Sequence, residues 1–220
     1  MISHVIFDCD GVLIDSEVIS MDVDMALLAQ SGIHLTAADM HHRFVGATFE
    51  DMVRQVEIEF GVTLPTDLSA RKDDLMLDLY RRELKPVTGV LPMLQTLGLP
   101  KSIGTNGPRH RALEALKITG LEPFFGDRLT TFEDVKFGKP APDIYALAAF
   151  RAGFAPGKCV VVEDSVTGAT AALAAGCHVI GFTGVAHDAA SKVNALKQLG
   201  VSSIINDMAT LRGTIAAINA

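Results

Sequence analysis

The chain has 220 residues, with 19 Lys and Arg against 26 Asp and Glu, a formal net charge of −7, 49% hydrophobic residues and 20% charged ones. That length accommodates one sizeable domain, or one with a smaller companion, and the apolar share is enough to fill a core. Disorder, collagen-like repeats and a disulfide-stapled mini-protein are excluded, and the acidic balance speaks against a nucleic-acid binder or an anionic-membrane binder, each of which needs a basic face.

In chain order, Val5-Ile6-Phe7 is a short apolar run that stops at Asp8 and predicts a strand. From Ser16 to Pro86 strand signals vanish, and residues 18–30, 49–60 and 68–84 carry apolar side chains at helical spacing. This stretch holds 13 acids and 7 bases, whereas the remainder holds 13 and 12, so most of the net negative charge sits on the helical insert. Further strands are expected at 101–105, 128–131, 159–162, 178–182 and 203–205, with helices between them at 108–120, 142–153 and 166–176. Pro108 is expected at the first helical position, and Gly120 ends that helix. The strand runs are apolar throughout, which suits strands covered on both faces of a parallel sheet, and the alternation of strand and helix predicts an α/β fold. A helical insert after the first strand is expected to overhang the carboxyl edge of that sheet, where α/β folds bind ligands.

Residues 165–187 contain no Asp, Glu, Lys or Arg, but Gly168, Gly176, Gly181 and Gly184 divide them into a helix and a strand, so no membrane span is expected. The opening MISHVIFDCDG lacks the basic and apolar regions of a signal peptide. Cys9, Cys159 and Cys177 are odd in number and never form a CxxC pair, as expected of buried free thiols in a reducing compartment. A cytoplasmic protein, monomeric or a small homo-oligomer, is the expectation.

Polar residues gather where strands end. Asp8 and Asp10 follow the first strand, Thr105-Asn106-Gly107 the second, and Glu163-Asp164 the fourth, while Lys139 lies in Gly138-Lys139-Pro140. Singly, each has a bland reading: a turn, a helix cap, a solvated lysine. Asp8 as the start of a calcium loop fails, because Val12 and Ile19 then stand where oxygen ligands are needed. Together the four features change the odds, because a parallel sheet brings its carboxyl ends to one edge. Crowded carboxylates require a positive partner, and oxygen-only ligands select a hard cation such as Mg²⁺. A hydroxyl, a helix amino terminus and an ammonium suit a tetrahedral anion. The composite reads as a phosphoryl-transfer site. GxxxxGK[ST] and GxGxxG are both absent, so the phosphate is expected on a small substrate rather than a nucleotide. Asp8 is then a nucleophile that forms an aspartyl-phosphate, and Asp10 the group that protonates the leaving oxygen and afterwards activates water.

The run Phe7-Asp8-Cys9-Asp10-Gly11-Val12-Leu13-Ile14-Asp15-Ser16, with Thr105-Asn106-Gly107, Gly138-Lys139-Pro140-Ala141-Pro142-Asp143 and Val162-Glu163-Asp164-Ser165, resembles the four motifs of the haloacid dehalogenase superfamily in order and spacing. The resemblance covers essentially the whole chain and is nearest to the β-phosphoglucomutase-like phosphatase branch. It implies a Rossmann-like parallel-sheet core over 1–15 and 87–220, with a helical-bundle cap over 16–86 that closes on the site and selects the substrate. It implies Asp8 as nucleophile and Mg²⁺ ligand, and Asp10 as acid/base offering a backbone carbonyl to the metal. It further implies that Thr105, the Asn106 amide, Gly107 and Lys139 hold the phosphate and that Asp164 ligates the metal, with Glu163 in its outer shell.

Asp10 is what dehalogenases and phosphonate-cleaving members lack, which favours ester cleavage. In the mutases a His stands where this chain has Ser20, and a Lys and an Arg stand where it has Val45 and Phe49, so a phosphatase is favoured over a mutase. Gly46-Ala47-Thr48 and Thr105-Asn106-Gly107-Pro108 look most like sugar-phosphate and 6-phosphogluconate phosphatases. The alternatives are a phosphosugar mutase, a receiver-type phosphoacceptor, which is shorter and has no such insert, and a silent homologue, which has no need of four intact motifs. A small phosphorylated metabolite is the expected partner. His41, His42, Arg43, Arg109 and His110 are secondary candidates for touching it.

Overall fold

In the computed structural model, residues 1–44, 48–186 and 188–220 are described. Val45, which carries part of the distinction from mutases, and Gly46 and Ala47, which carry part of the likeness to 6-phosphogluconate phosphatases, lie outside the described residues.

The elements run β1 (His4–Phe7), α1 (Glu17–Gln30), α2 (Ala37–Phe44), α3 (Phe49–Phe60), α4 (Leu68–Glu83), α5 (Val90–Thr96), β2 (Lys101–Thr105), α6 (Arg109–Ile118), α7 (Glu122–Phe125) and β3 (Leu129–Thr131). There follow α8 (Asp143–Arg151), β4 (Cys159–Glu163), α9 (Val166–Ala174), β5 (His178–Phe182), α10 (Ala189–Gln198), β6 (Ser203–Ile205) and α11 (Leu211–Ile218). The chain divides into two compact units, residues 1–15 with 85–220, and residues 16–84. The first unit closes on itself at the base of the excursion: the Asp15 N–H donates to Lys85 O at 3.0 Å, and Ile14 bridges Pro86.

In the α/β unit six strands form one parallel sheet in the order β3-β2-β1-β4-β5-β6. This doubly wound order reverses between β1 and β4, and the carboxyl ends of those two strands bound the crevice where such sheets bind ligands. The strands form because both of their faces are covered. Ile6, Val161 and Val179 pack with Ala148, Ala149, Ala171 and Ala172 of α8 and α9, while Phe7 on the opposite face meets Phe125 edge-on at 6.1 Å. Val160, Val161 and Val162 are all fully buried, so each contributes roughly 1.5–3 kcal/mol of apolar burial. The register pairs Phe7 with Val162, which places Asp8 beside Glu163.

The excursion 16–84 is helical. Val23, Leu27 and Leu28 of α1, Met52 and Val56 of α3, and Met76 and Tyr80 of α4 form its buried stripe. Thr48 caps α3 by accepting from the Asp51 N–H, and Gly61 ends it in the left-handed conformation that suits glycine.

The structure departs from the sequence expectation at short helices. α2, α5, α7, α10 and α11 add helical segments where the periodicity is too brief or too polar to read, and Pro108 occupies the N-cap of α6 rather than its first helical position. The three cysteines are free and buried. Among the described residues no helix is long and apolar enough to cross a membrane.

Candidate active site

Asp8 leaves β1 with its N–H donating to Val162 O at 3.0 Å, which holds it against the end of β4. Lys139, delivered by the loop before α8, donates from Nζ to Asp8 Oδ1 and to Glu163 Oε1, each at 2.7 Å. All three are buried, so the ammonium is the charge that makes their burial tolerable. Glu163 Oε1 also accepts from the Tyr145 hydroxyl at 2.7 Å, and Oε2 accepts from the Ser165 N–H and hydroxyl at 3.0 Å each. The Tyr145 ring lies 4.6 Å from Lys139 Nζ, adding a cation–π contact.

Glycines make this assembly possible. A Cβ on Gly168 would fall 1.6 Å from Glu163 Oε1, and one on Gly104 3.0 Å from Tyr145, so backbone alone fits at those contacts. At Gly11, where φ is +75°, a Cβ would sit 2.6 Å from Asp164 Oδ2.

Asn106 acts as a clamp. Its Oδ1 accepts the Lys139 N–H at 2.8 Å and its Nδ2 donates to Lys139 O at 3.1 Å, so its side chain binds both backbone groups of the lysine. The Thr105 hydroxyl oxygen accepts the Gly107 N–H at 2.9 Å, ordering the loop after β2. A Cβ on Gly107 would be 3.3 Å from Thr105 Oγ1, 3.5 Å from Asp10 Oδ2 and 3.8 Å from an Arg111 nitrogen, so those groups share one corner.

The electrostatics follow from this packing. Burial raises the Asp8 carboxyl well above the usual range; Lys139 opposes the rise, and Glu163, Asp164 and Asp10 add to it. Burial works against the charge of Lys139, but Asp8 and Glu163 outweigh it and raise its pKa. Glu163 is held low despite burial, by Lys139 first and then by Ser165 and Tyr145. Burial and the neighbouring Glu163 raise the Tyr145 phenol, which keeps it a donor.

Asp8, Glu163 and Asp164 each present a carboxylate oxygen within 4.8 Å of the others. An all-oxygen set with surplus negative charge fits a hard divalent cation. Both Glu163 oxygens already accept hydrogen bonds, so Asp8 and Asp164 are the carboxylates better placed to face one. The Asp10 side chain is outside that group.

Other candidates serve elsewhere. Arg109 pairs with Asp134 at 2.5 Å and donates to Leu129 O, tying α6 to the loop after β3. Arg43 pairs with Glu59 and stacks on Phe44 and Phe60 inside the helical unit. His42 and His110 are exposed. The residues that sequence reasoning missed are Tyr145, Arg111 and Lys192, whose ammonium lies 2.8 Å from Asp164 Oδ2. Tyr145 follows Lys139 by six residues at the start of a helix, a signal that existed; Lys192 lies 28 residues from its partner and offered none.

The family model of a haloacid dehalogenase-like hydrolase matches residues 2–176. The chain belongs to this family. The hydrolase is 30% identical over 188 residues to the 6-phosphogluconate phosphatase of Escherichia coli, covering 85% of each chain. It is 32% identical over 190 residues to a phosphorylated carbohydrates phosphatase of Thermotoga maritima, covering 83% of this chain and 85% of that one. Among solved structures, a conserved haloacid dehalogenase-like protein of unknown function, ATU0790 from Agrobacterium tumefaciens, superposes with a TM-score of 0.89 at 36% identity over all of both chains. These likenesses make this hydrolase a phosphoric monoester hydrolase.

Proposed function

We propose that this phosphatase hydrolyses a small phosphorylated carbohydrate through a phosphorylated Asp8, with Mg²⁺ as cofactor. The observation that carries the reading is the buried Asp8–Lys139–Glu163 ion cluster at the switch point of the sheet, with Asp164 beside it. The names of the E. coli and T. maritima relatives support a sugar phosphate as substrate.

In this reading an Asp8 oxygen attacks phosphorus, the P–O bond to the sugar breaks, and Asp10 gives its proton to the departing oxygen. Asp10 then takes a proton from water as that water attacks the aspartyl-phosphate, which returns the Asp8 carboxylate and releases phosphate. Lys139 offsets charge on Asp8 and on the phosphoryl oxygens, and the Asn106 clamp fixes where its ammonium stands. The Thr105 hydroxyl and the Asn106 N–H are the donors assigned to the phosphoryl oxygens. Asp8, Asp164 and the Asp10 carbonyl would hold Mg²⁺, which would supply Lewis-acid stabilisation of the transferring group. Substrate choice is assigned to the helical unit. The protein is read as cytoplasmic, with no nucleic-acid or membrane partner.

The test is phosphate release from hexose phosphates, polyol phosphates, 6-phosphogluconate, phosphoglycolate and nucleotides, with Mg²⁺ and with EDTA, for the wild type and Asp8→Asn. Sugar or sugar-acid phosphates are expected to lead the panel, EDTA to abolish turnover, and the variant to lose at least about 10³-fold, as expected when a nucleophile is removed. Full activity of Asp8→Asn overturns the aspartyl-phosphate, and full activity in EDTA overturns the metal.

A further inference from the structure

The ion cluster around Lys139 leaves one acid of the site to a different partner. Lys139 serves Asp8 and Glu163, whereas Asp164 receives the ammonium of Lys192 at 2.8 Å, with side-chain exposures of 13% for the acid and 21% for the lysine. The contact joins the residue after β4 to the first turn of α10, both in the α/β unit.

Three features hold Lys192 there. Asp188 caps α10 by accepting the Ser191 N–H at 3.0 Å, and its carbonyl accepts the Lys192 N–H at 3.1 Å, so the helix starts at a defined point. Leu196, four residues on and therefore on the same face, is fully buried. A Cβ on Gly181 of β5 would meet Leu196 at 2.9 Å, so the absence of a side chain there lets α10 approach the sheet. The anchored helix turns Lys192 toward the carboxyl edge, where the oxygens of Asp8, Glu163 and Asp164 crowd within 4.8 Å.

Three carboxylates at that separation repel one another, and Lys139 meets only two of them. A lysine ammonium is a compact point charge, the side chain nearest in character to a small cation. A divalent cation drawn to Asp164 therefore meets a resident positive charge that either yields or is carried as repulsion. We propose that Lys192 is the built-in counter-ion of the metal-free site: it stabilises the assembled acid cluster before metal arrives and, by the same charge, sets how tightly the site takes up Mg²⁺. This rests on the metal reading above. It gives Lys192 a positioning role that acts through Asp164, with opposite effects on the stripped and the loaded protein.

The full chain, stripped with EDTA, is titrated with Mg²⁺ by calorimetry and with Mn²⁺ by electron paramagnetic resonance, for wild type, Lys192→Gln and Lys192→Arg. Melting is followed on stripped and saturated samples of each. Lys192→Gln is expected to bind either ion roughly three- to tenfold more tightly, the order of effect of one unit charge in a partly exposed site. Its stripped form should melt below wild type, and its metal-induced rise in melting temperature should be larger. Lys192→Arg, which keeps the charge, should bind metal within about twofold of wild type. Equal or weaker metal binding by Lys192→Gln, or an unchanged metal-induced rise, overturns the proposal while leaving the metal site standing. A wild type that takes up neither ion overturns the metal reading itself.

Discussion

The α/β unit and the helical unit treat charge differently. In the α/β unit Asp8, Lys139 and Glu163 are buried at no more than 8% exposure and share partners in one chain of hydrogen bonds. In the helical unit the Arg54–Asp51, Arg81–Asp78 and Arg71–Asp67 pairs have side-chain exposures of 37–70% and lie one turn apart on single helices. Lys72–Asp24 is the intermediate case, 2.7 Å apart with exposures of 12% and 13%, and Lys72 also covers the Phe49 ring. Exposed pairs contribute little, because water already solvates both charges. A buried charge is costly unless every partner is present, so a cluster of buried charges marks the place where chemistry, rather than stability, sets the residue types.

The contrast is broken most strongly at Lys139. Lys139→Met leaves Asp8 and Glu163 buried and facing each other without a counter-charge, and is expected to lower the unfolding free energy by about 3–5 kcal/mol in denaturant titration. A loss below about 1 kcal/mol would mean that the cluster is far better solvated than its burial implies.

His4 tests the other end of the sheet. Its ring is buried, Nε2 pairs with Ser102 Oγ at 2.8 Å, and Nδ1 is without a hydrogen-bond partner. Burial, helped by Arg128, lowers its pKa from 6.5 to about 4. The unfolded chain thus binds a proton that the folded chain refuses, and the stability contributed by neutral His4 is lost as pH falls from 6.5 toward 4. The acid limb of melting temperature against pH should be shallower in His4→Gln, and equal slopes would remove His4 as its cause.

Smaller effects belong to the helical unit. Lys72→Met is expected to cost about 1 kcal/mol, and Arg54→Ala less than about 0.5 kcal/mol. If Arg54→Ala proved the more damaging, burial would not be what separates the two units.

Much of the architecture was legible. β2, β5 and β6 keep the limits expected of them, and β1, β3 and β4 differ by one residue at one end, because strands buried on both faces write themselves as unbroken apolar runs. The helices 49–60 and 166–174 likewise follow their capping and apolar spacing. α2 did not, since half of AADMHHRF is polar, nor did α5, interrupted by Pro92, nor α11, which contains Gly213. Such short helices form because tertiary contacts hold them, not because their residues favour helix alone.

At the site, Asp8, Glu163, Asp164, Thr105 and Asn106 stand out as polar residues punctuating apolar strands, and Lys139 by its Gly-Lys-Pro loop. What each side chain touches did not stand out. Asn106 was expected to offer an amide to phosphate, and the structure adds that its side chain clamps Lys139; the contacts of Tyr145 and Lys192 had no counterpart in the sequence reading.

The amino-acid order alone determined that acids and a hydroxyl follow the buried strands β1, β2 and β4 and that a lysine sits in a Gly-Lys-Pro loop, because local composition decides where a strand must stop and a polar turn begin. Only the tertiary structure decided that β1 lies against β4, across some 150 residues of chain, and hence which ammonium neutralises which carboxylate. The physical reason is range: hydrophobic periodicity acts over a few residues, whereas pairing of buried charges is settled by sheet order and by the close approaches that Gly11, Gly104 and Gly168 permit.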